Sequence, residues 1–144
     1  MTIPFPVAYR ERVASDDAFI VTTWLESLHK GNDSMRRLRF SRYKRQLVPI
    51  VAAAIQSGTC IVAAIPDDPD HIIGWSCATE SMGVRCLQYA FVRQDRRGVG
   101  LGDALMRLAM AGATDGEYAY VTDSGRRAVL ALGLHYNPLS MVVR

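Results

Sequence analysis

Residues 87–106 run from an apolar strand, Leu-Gln-Tyr-Ala-Phe-Val, through a basic, glycine-rich turn, Arg-Gln-Asp-Arg-Arg-Gly-Val-Gly, into the amphipathic start of a helix, Leu-Gly-Asp-Ala-Leu-Met. A strand delivered into a helix by so short a connection commits the chain to an α/β arrangement in which the helix crosses back over the sheet. Gly98, Gly100 and Gly102 let the backbone turn sharply and approach a ligand closely. The first amides of the helix have no intrahelical partner and sit at its positive end, so the layout is that of an anion site, suited to a phosphate or pyrophosphate.

Spacing narrows the ligand. A dinucleotide fingerprint needs G-x-G-x-x-G, but counting from Gly98 the sixth position is Asp103, and no Gly-Lys-Ser/Thr follows to cradle a nucleoside triphosphate. What remains is Arg97-x-x-Gly100-x-Gly102. It resembles the R/Q-x-x-G-x-G/A pyrophosphate loop of the GNAT acyltransferase superfamily, whose members bind acetyl-CoA or a related acyl-CoA. Val92, five residues before Arg97, and the helix expected over 100–113 extend the resemblance. The competing reading of the glycines is a tight turn with no ligand.

The remaining signals predict a consistent order of elements. Residues 7–13 alternate as a strand, and Ser15 is the expected N-cap of a helix over 16–30, with Ala18, Val21, Leu25 and Leu28 inward, Trp24 widening the stripe and Gly31 as its stop. A second helical region starts near Ser34 or Ser41, ends at Gln56, and is expected to kink or restart at Pro49. Strands over 59–65, 71–79 and 84–92, joined by turns at 66–70 and 81–83, form an antiparallel meander. The helix at 100–113 follows, then a strand over 117–122 beside the 84–92 strand, a helix capped by Ser124 and running to Leu132, and a last strand over 139–143.

This order is similar to the GNAT fold, a mixed, mostly antiparallel central sheet flanked by helices, over nearly the whole chain. Phe19-Ile-Val-Thr-Thr-Trp-Leu25, Asp67-Asp-Pro-Asp70 and Tyr136-Asn-Pro138 carry a fainter likeness to small phage-encoded GNAT-like proteins. The resemblance implies acetyl-CoA, or another acyl-CoA, as co-substrate. It places main-chain contacts to the pantetheine arm at Phe91 and Val92. The N–H of Ala90 becomes the donor that polarises the thioester carbonyl. Arg97, Gly98, Val99, Gly100, Leu101, Gly102 and Asp103 surround the pyrophosphate, and Ser124 either touches the pantetheine or caps its helix.

Acid–base groups carry over less directly. The strand position where many members hold a glutamate is Cys86, and the position of the usual tyrosine, four residues before a Gly-Phe pair, is Val129 before Gly133-Leu134. Transfer to an amine still needs a proton acceptor and a donor for the leaving thiolate. Glu80 is the candidate base, and His135 and Tyr136 are candidates for acid or relay.

The 144 residues, 49% of them hydrophobic, suffice for one domain spanning 1–144 and are too few for two. No apolar run approaches the roughly 20 residues that span a bilayer, and the N-terminus lacks an export pattern, so a cytoplasmic protein without membrane association is expected. Cys60, Cys77 and Cys86 lack metal-ligand or paired spacing and read as buried thiols; no metal is expected. Arg36, Arg37, Arg39, Arg42, Lys44 and Arg45 have no acid among them, and the rest of the chain is net acidic. With Phe40 and Tyr43 interleaved, the segment suits either a solvated helix face or contact with nucleic acid. The functional readings are therefore an acyl-CoA-dependent N-acyltransferase, most simply acetyl transfer by direct amine attack; a nucleic-acid-directed enzyme or binder of GNAT descent; and a CoA-binding module without catalysis.

Overall fold

Turn chemistry sets the register of the central meander. The computed structural model describes residues 2–113 and 115–141. Strands β2 (Thr59–Ile65), β3 (Asp68–Ser81) and β4 (Val84–Val92) pair antiparallel. Met82 and Gly83 both have positive φ, 54° and 78°, the conformation a two-residue hairpin needs to match strand twist. Strand β3 starts at Asp68, earlier than the expected 71, because the preceding turn is only Pro66 and Asp67. β1 (Ala8–Glu11) adds antiparallel to β2, while β5 (Glu117–Tyr118) and β6 (His135–Tyr136) add in parallel after β4, giving the order β1-β2-β3-β4-β5-β6.

Helices cover both faces. α1 (Asp17–Gly31) and α3 (Phe40–Ser57) pack on one, with Ile20, Trp24, Leu28, Tyr43, Val51 and Ile55 against Trp75, Cys77 and Tyr89. The inward stripe of α1 is therefore Ile20, Trp24 and Leu28 with Leu25, and Ala18, expected inside, is exposed. On the other face α4 (Leu101–Met110) buries Leu101 and Leu105 against Ala63 and Ile73, and Met106, Ala109 and Met110 against Ala78 and Leu87. The short α2 (Asp33–Arg36) links α1 to α3, and α5 (Arg126–Ala131) precedes β6. Cys60, Cys77 and Cys86 are buried thiols.

One open alternative is narrowed and two expectations are corrected. Helix α3 runs through Pro49 without a restart. The proline removes one backbone bond and is exposed, so water can serve the carbonyl left behind, while Tyr43, Leu47, Val51, Ala54 and Ile55 keep both halves of the helix against one surface. At the C-terminus the strand is β6 at 135–136, held to β5 by His135 N–H to the Gly116 carbonyl at 3.0 Å and Asn137 N–H to that of Tyr118 at 3.0 Å. Pro138 cannot continue that ladder, and Pro138–Met141 form a 3₁₀ turn where a strand over 139–143 was expected; Val142 and Val143 lie outside the described residues. Third, Ser15 does not cap α1. The buried Asp16 carboxylate accepts from the Val13 amide at 2.8 Å and takes both Arg10 guanidinium nitrogens, at 2.7 and 3.0 Å.

The Arg10 hydrogen bonds hold the Asp16 carboxyl below the ordinary carboxylate range, against the upward push of burial. A depressed folded value means the pair contributes fully above the unfolded value near 4 and progressively less as pH falls through the folded one. Asp16→Asn should cost about 2 kcal/mol at pH 7 and flatten the acid limb below about pH 4. Urea midpoints across that range check both; an unchanged acid limb would contradict the assignment.

Candidate functional site

The site begins with a fault in the sheet. Cys77 pairs with Tyr89 and its neighbour Ala78 with Leu87, so Gln88 is the additional residue of a bulge in β4, its amide nitrogen donating to Thr79 Oγ1 at 2.8 Å. Bulges bend the strand that carries them. Backbone bonds from the β5 segment reach the carbonyls of Leu87 (Ala119 N–H, 3.0 Å) and Gln88 (Tyr120 N–H, 3.2 Å), the last of that ladder among the described residues. Beyond it, Ala90, Phe91 and Val92 line an open cleft of about 1160 Å³.

The glycine loop closes one end of this cleft. After β4 the chain makes a 3₁₀ turn (Gln94–Arg96), and Arg97 folds back so that its Nε donates to the Val92 carbonyl at 2.8 Å. Gly98 and Gly100 take positive φ, 81° and 95°, which L side chains rarely adopt. The first intrahelical bond of α4 runs from the Ala104 amide to the Gly100 carbonyl at 3.1 Å, so the amides of Leu101, Gly102 and Asp103 precede the helix's own bonding. Gly102 needs no special φ, and a Cβ there would touch only Val92 Cγ2, at 3.6 Å. The protein itself gives no steric reason for glycine at 102.

The opposite wall comes from α1, with Thr23, Glu26, Ser27, Lys30 and Gly31, and the far end from Tyr120 to Thr122 with Ser124, Gly125, Ala128 and Val129. α1 is clasped to that end. Asp123 N–H donates to the Gly31 carbonyl at 2.7 Å, Asn32 Nδ2 to that of Val121 at 2.8 Å, and a Cβ on Gly31 would meet Thr122 Cγ2 at 2.7 Å.

Two tyrosines face the cleft, and their protons are differently placed. Ser27 Oγ donates to the Thr23 carbonyl, so at 2.7 Å it accepts from the Tyr89 hydroxyl, and the Tyr89 proton is committed to the protein. Tyr89 also stacks on Trp24, ring centroids 5.5 Å apart and planes at 8°. Tyr120 is buried, yet among the described residues its hydroxyl has no hydrogen-bond partner, and it lines both this cleft and a smaller cavity of about 370 Å³. Burial pushes both phenols up to about 12, which keeps them protonated at neutral pH.

Of the residues expected at the donor site, Ala90, Phe91, Val92, Arg97, Gly98, Gly100, Gly102, Asp103 and Ser124 line the cleft together. Val99 is not on its wall, and the Leu101 side chain is core, leaving main-chain contact as the available role for either. Ser124 does not cap α5: the Gly125 amide donates to Thr122 Oγ1 at 3.1 Å. The expected acid–base set is scattered. Glu80 pairs with Arg85 near the β3–β4 hairpin, four residues along β3 from the partner of Ala90, roughly 13 Å away. His135 is exposed with Asp115 at 3.7 Å, and Tyr136 leans on Tyr118 and lines only the smaller cavity. Cys86 is buried on the α1–α3 face, whereas Val129 is in the cleft wall. Glu26 and Tyr120 were missed because neither belongs to a local motif.

Solved structures share this architecture. The GCN5-related N-acetyltransferase of Ralstonia eutropha JMP134 superposes with a TM-score of 0.65 at 14% identity, covering 89% of this chain and 92% of that one. A GNAT family acetyltransferase of Brucella melitensis, in complex with acetyl-CoA, gives 0.57 at 21% identity over 85% and 80% of the two chains. The chain has the GNAT fold. No family model matches the sequence, and no curated protein does. At these identities the GNAT likeness is one of architecture, and the chemistry must be argued from the cleft. Among the described residues no helix is long and apolar enough to cross a membrane, and no three His, Cys, Asp or Glu side chains gather to hold a metal ion.

Proposed function

We propose that the chain transfers an acyl group, most simply acetyl, from acyl-CoA to an amine by direct attack. The observation that carries this is the juxtaposition, in one cleft, of the β4 end past the bulge with the glycine loop and the first-turn amides of α4 at Leu101, Gly102 and Asp103, which precede its first intrahelical bond. The loop takes the pyrophosphate through those amides and Arg97. Phe91 and Val92 present main chain to the pantetheine as a neighbouring strand would. The Ala90 N–H supports negative charge developing on the thioester oxygen.

The attacking amine forms the new C–N bond as the C–S bond breaks, and one proton leaves nitrogen while another reaches sulfur. Tyr120 is the donor to sulfur in this reading, because the Tyr89 proton is already held by Ser27. Glu26, a carboxylate on the α1 wall, takes the amine proton directly or through water. These two replace Glu80, His135 and Tyr136 as the acid–base set. Denatured protein examined by mass spectrometry should release CoA or acetyl-CoA carried through purification, and added acetyl-CoA should yield free thiol with an amine panel. CoA binding with no thiol released against amines, peptides or nucleic acid would replace the enzyme with a CoA-binding module, a reading favoured by the apolar Val129 in the cleft wall.

A further inference from the structure

The strongest feature that the acyl-donor cleft leaves unused is the basic surface of α2 and the start of α3. Arg36 and Arg37 share the carboxylate of Asp33, at 3.2 and 3.0 Å. Arg39, Arg42, Lys44 and Arg45 are exposed and, among the described residues, have no carboxylate within ion-pair reach. Without these six cations the chain holds eleven Lys and Arg against fourteen acids, so its positive charge is concentrated on this face. Arg42 and Arg45 lie on the side of α3 turned away from the buried Tyr43 and Leu47. Between the cations Phe40 is 40% exposed, its ring braced by His29 at 5.1 Å and Tyr43 at 5.8 Å. A half-open ring held in place among arginines is a stacking platform, which a merely solvated face does not require.

The surface also adjoins both cavities. Arg36 donates to the carbonyl of Lys30, a residue of the large cleft's wall, and Asn32 to Met35, immediately before it, line the smaller cavity that shares Tyr120 with that cleft. We propose that the α2–α3 face binds single-stranded nucleic acid, its phosphates on Arg39, Arg42, Lys44 and Arg45 and a base on Phe40, and so holds an amine-bearing acceptor at the mouth of the smaller cavity. Strand binding stands by itself; presentation of the acceptor rests on the acyltransferase reading.

The test is fluorescence anisotropy with a labelled oligothymidylate of about 16 nucleotides across a salt series. The parent should bind at low salt, and Arg39→Ala/Arg42→Ala/Arg45→Ala should flatten the slope of log K against log salt by about 2 units, roughly 0.7 per contact removed. Phe40→Ala should weaken binding about 5- to 150-fold with the slope kept. No binding by the parent at low salt overturns the proposal. So does equal binding of polyglutamate or of phosphatidylserine vesicles with Phe40→Ala neutral, which would identify an acidic protein or a membrane surface as the partner. Calorimetry with CoA on parent and triple variant separates the readings: strand binding without CoA binding rejects the acyltransferase and leaves the surface.

Discussion

Gly100→Asp should abolish CoA binding in a protein that still folds. Gly100 has a φ of 95° at the threshold of α4, beside the first-turn amides that precede its first intrahelical bond. A carboxylate there stands against the diphosphate, and like charges about 4 Å apart at an effective dielectric near 20 repel by about 4 kcal/mol, roughly 10³-fold in affinity. The backbone strain of a non-glycine residue costs about 1 kcal/mol of stability and must be removed from the comparison. Gly100→Asn does so: it has nearly the same shape and tolerance of positive φ without the charge, and should retain most of the affinity. Calorimetry on both variants decides the matter, and equal CoA affinity in parent and Gly100→Asp would end the assignment of this loop to pyrophosphate.

Tyr120→Phe should lower kcat by about 10²–10⁴-fold with acyl-CoA affinity nearly unchanged, because a proton delivered to the leaving thiolate acts in the barrier and not in donor binding. Among the described residues its hydroxyl has no hydrogen-bond partner, so little stability should be lost. Glu80→Gln and Tyr136→Phe should leave the rate near that of the parent. Because burial holds the Tyr120 phenol up to about 12, its acid form persists through neutral pH, and no loss of rate assignable to it should appear below about pH 10. A full parental rate in Tyr120→Phe, measured as thiol release, would return the acid role to the scattered candidates or to water.

How much of this was legible depended on whether the signal was local. Met82-Gly83 and Gly98-x-Gly100 declare their backbone conformations in one or two residues, so the hairpin and the loop into α4 could be read directly. Pro49 left a kink and a restart both open, because its penalty is local while the packing that keeps one helix comes from Tyr43, Leu47 and Val51 buried on the sheet. Ser15 looked like a cap, yet Asp16 one residue later reaches the Val13 amide and Arg10 together, a partnership across two elements that no cap rule contains. The donor half of the proposed site could be suggested for the same reason as the loop, being made of main chain that glycine spacing betrays. The proposed acid–base half could not. Glu26, Ser27, Tyr89 and Tyr120 meet from α1, β4 and the segment after β5, and Tyr120 becomes distinctive only once Ser27 has claimed the other phenol.

The bulge at Gln88 has a further meaning for how such a site can be gained or lost. Cys86, Tyr89 and Phe91 contribute to the core under α1 and α3, while Leu87 and Val92 pack toward α4, so the inserted residue absorbs its own offset and leaves the strand on either side in proper phase. Shortening β4 by that one residue would preserve every facing and restore one-to-one pairing with β3. The cleft thus opens beside a strand that is one residue too long for its other neighbour, β3, and that surplus is absorbed at a single position.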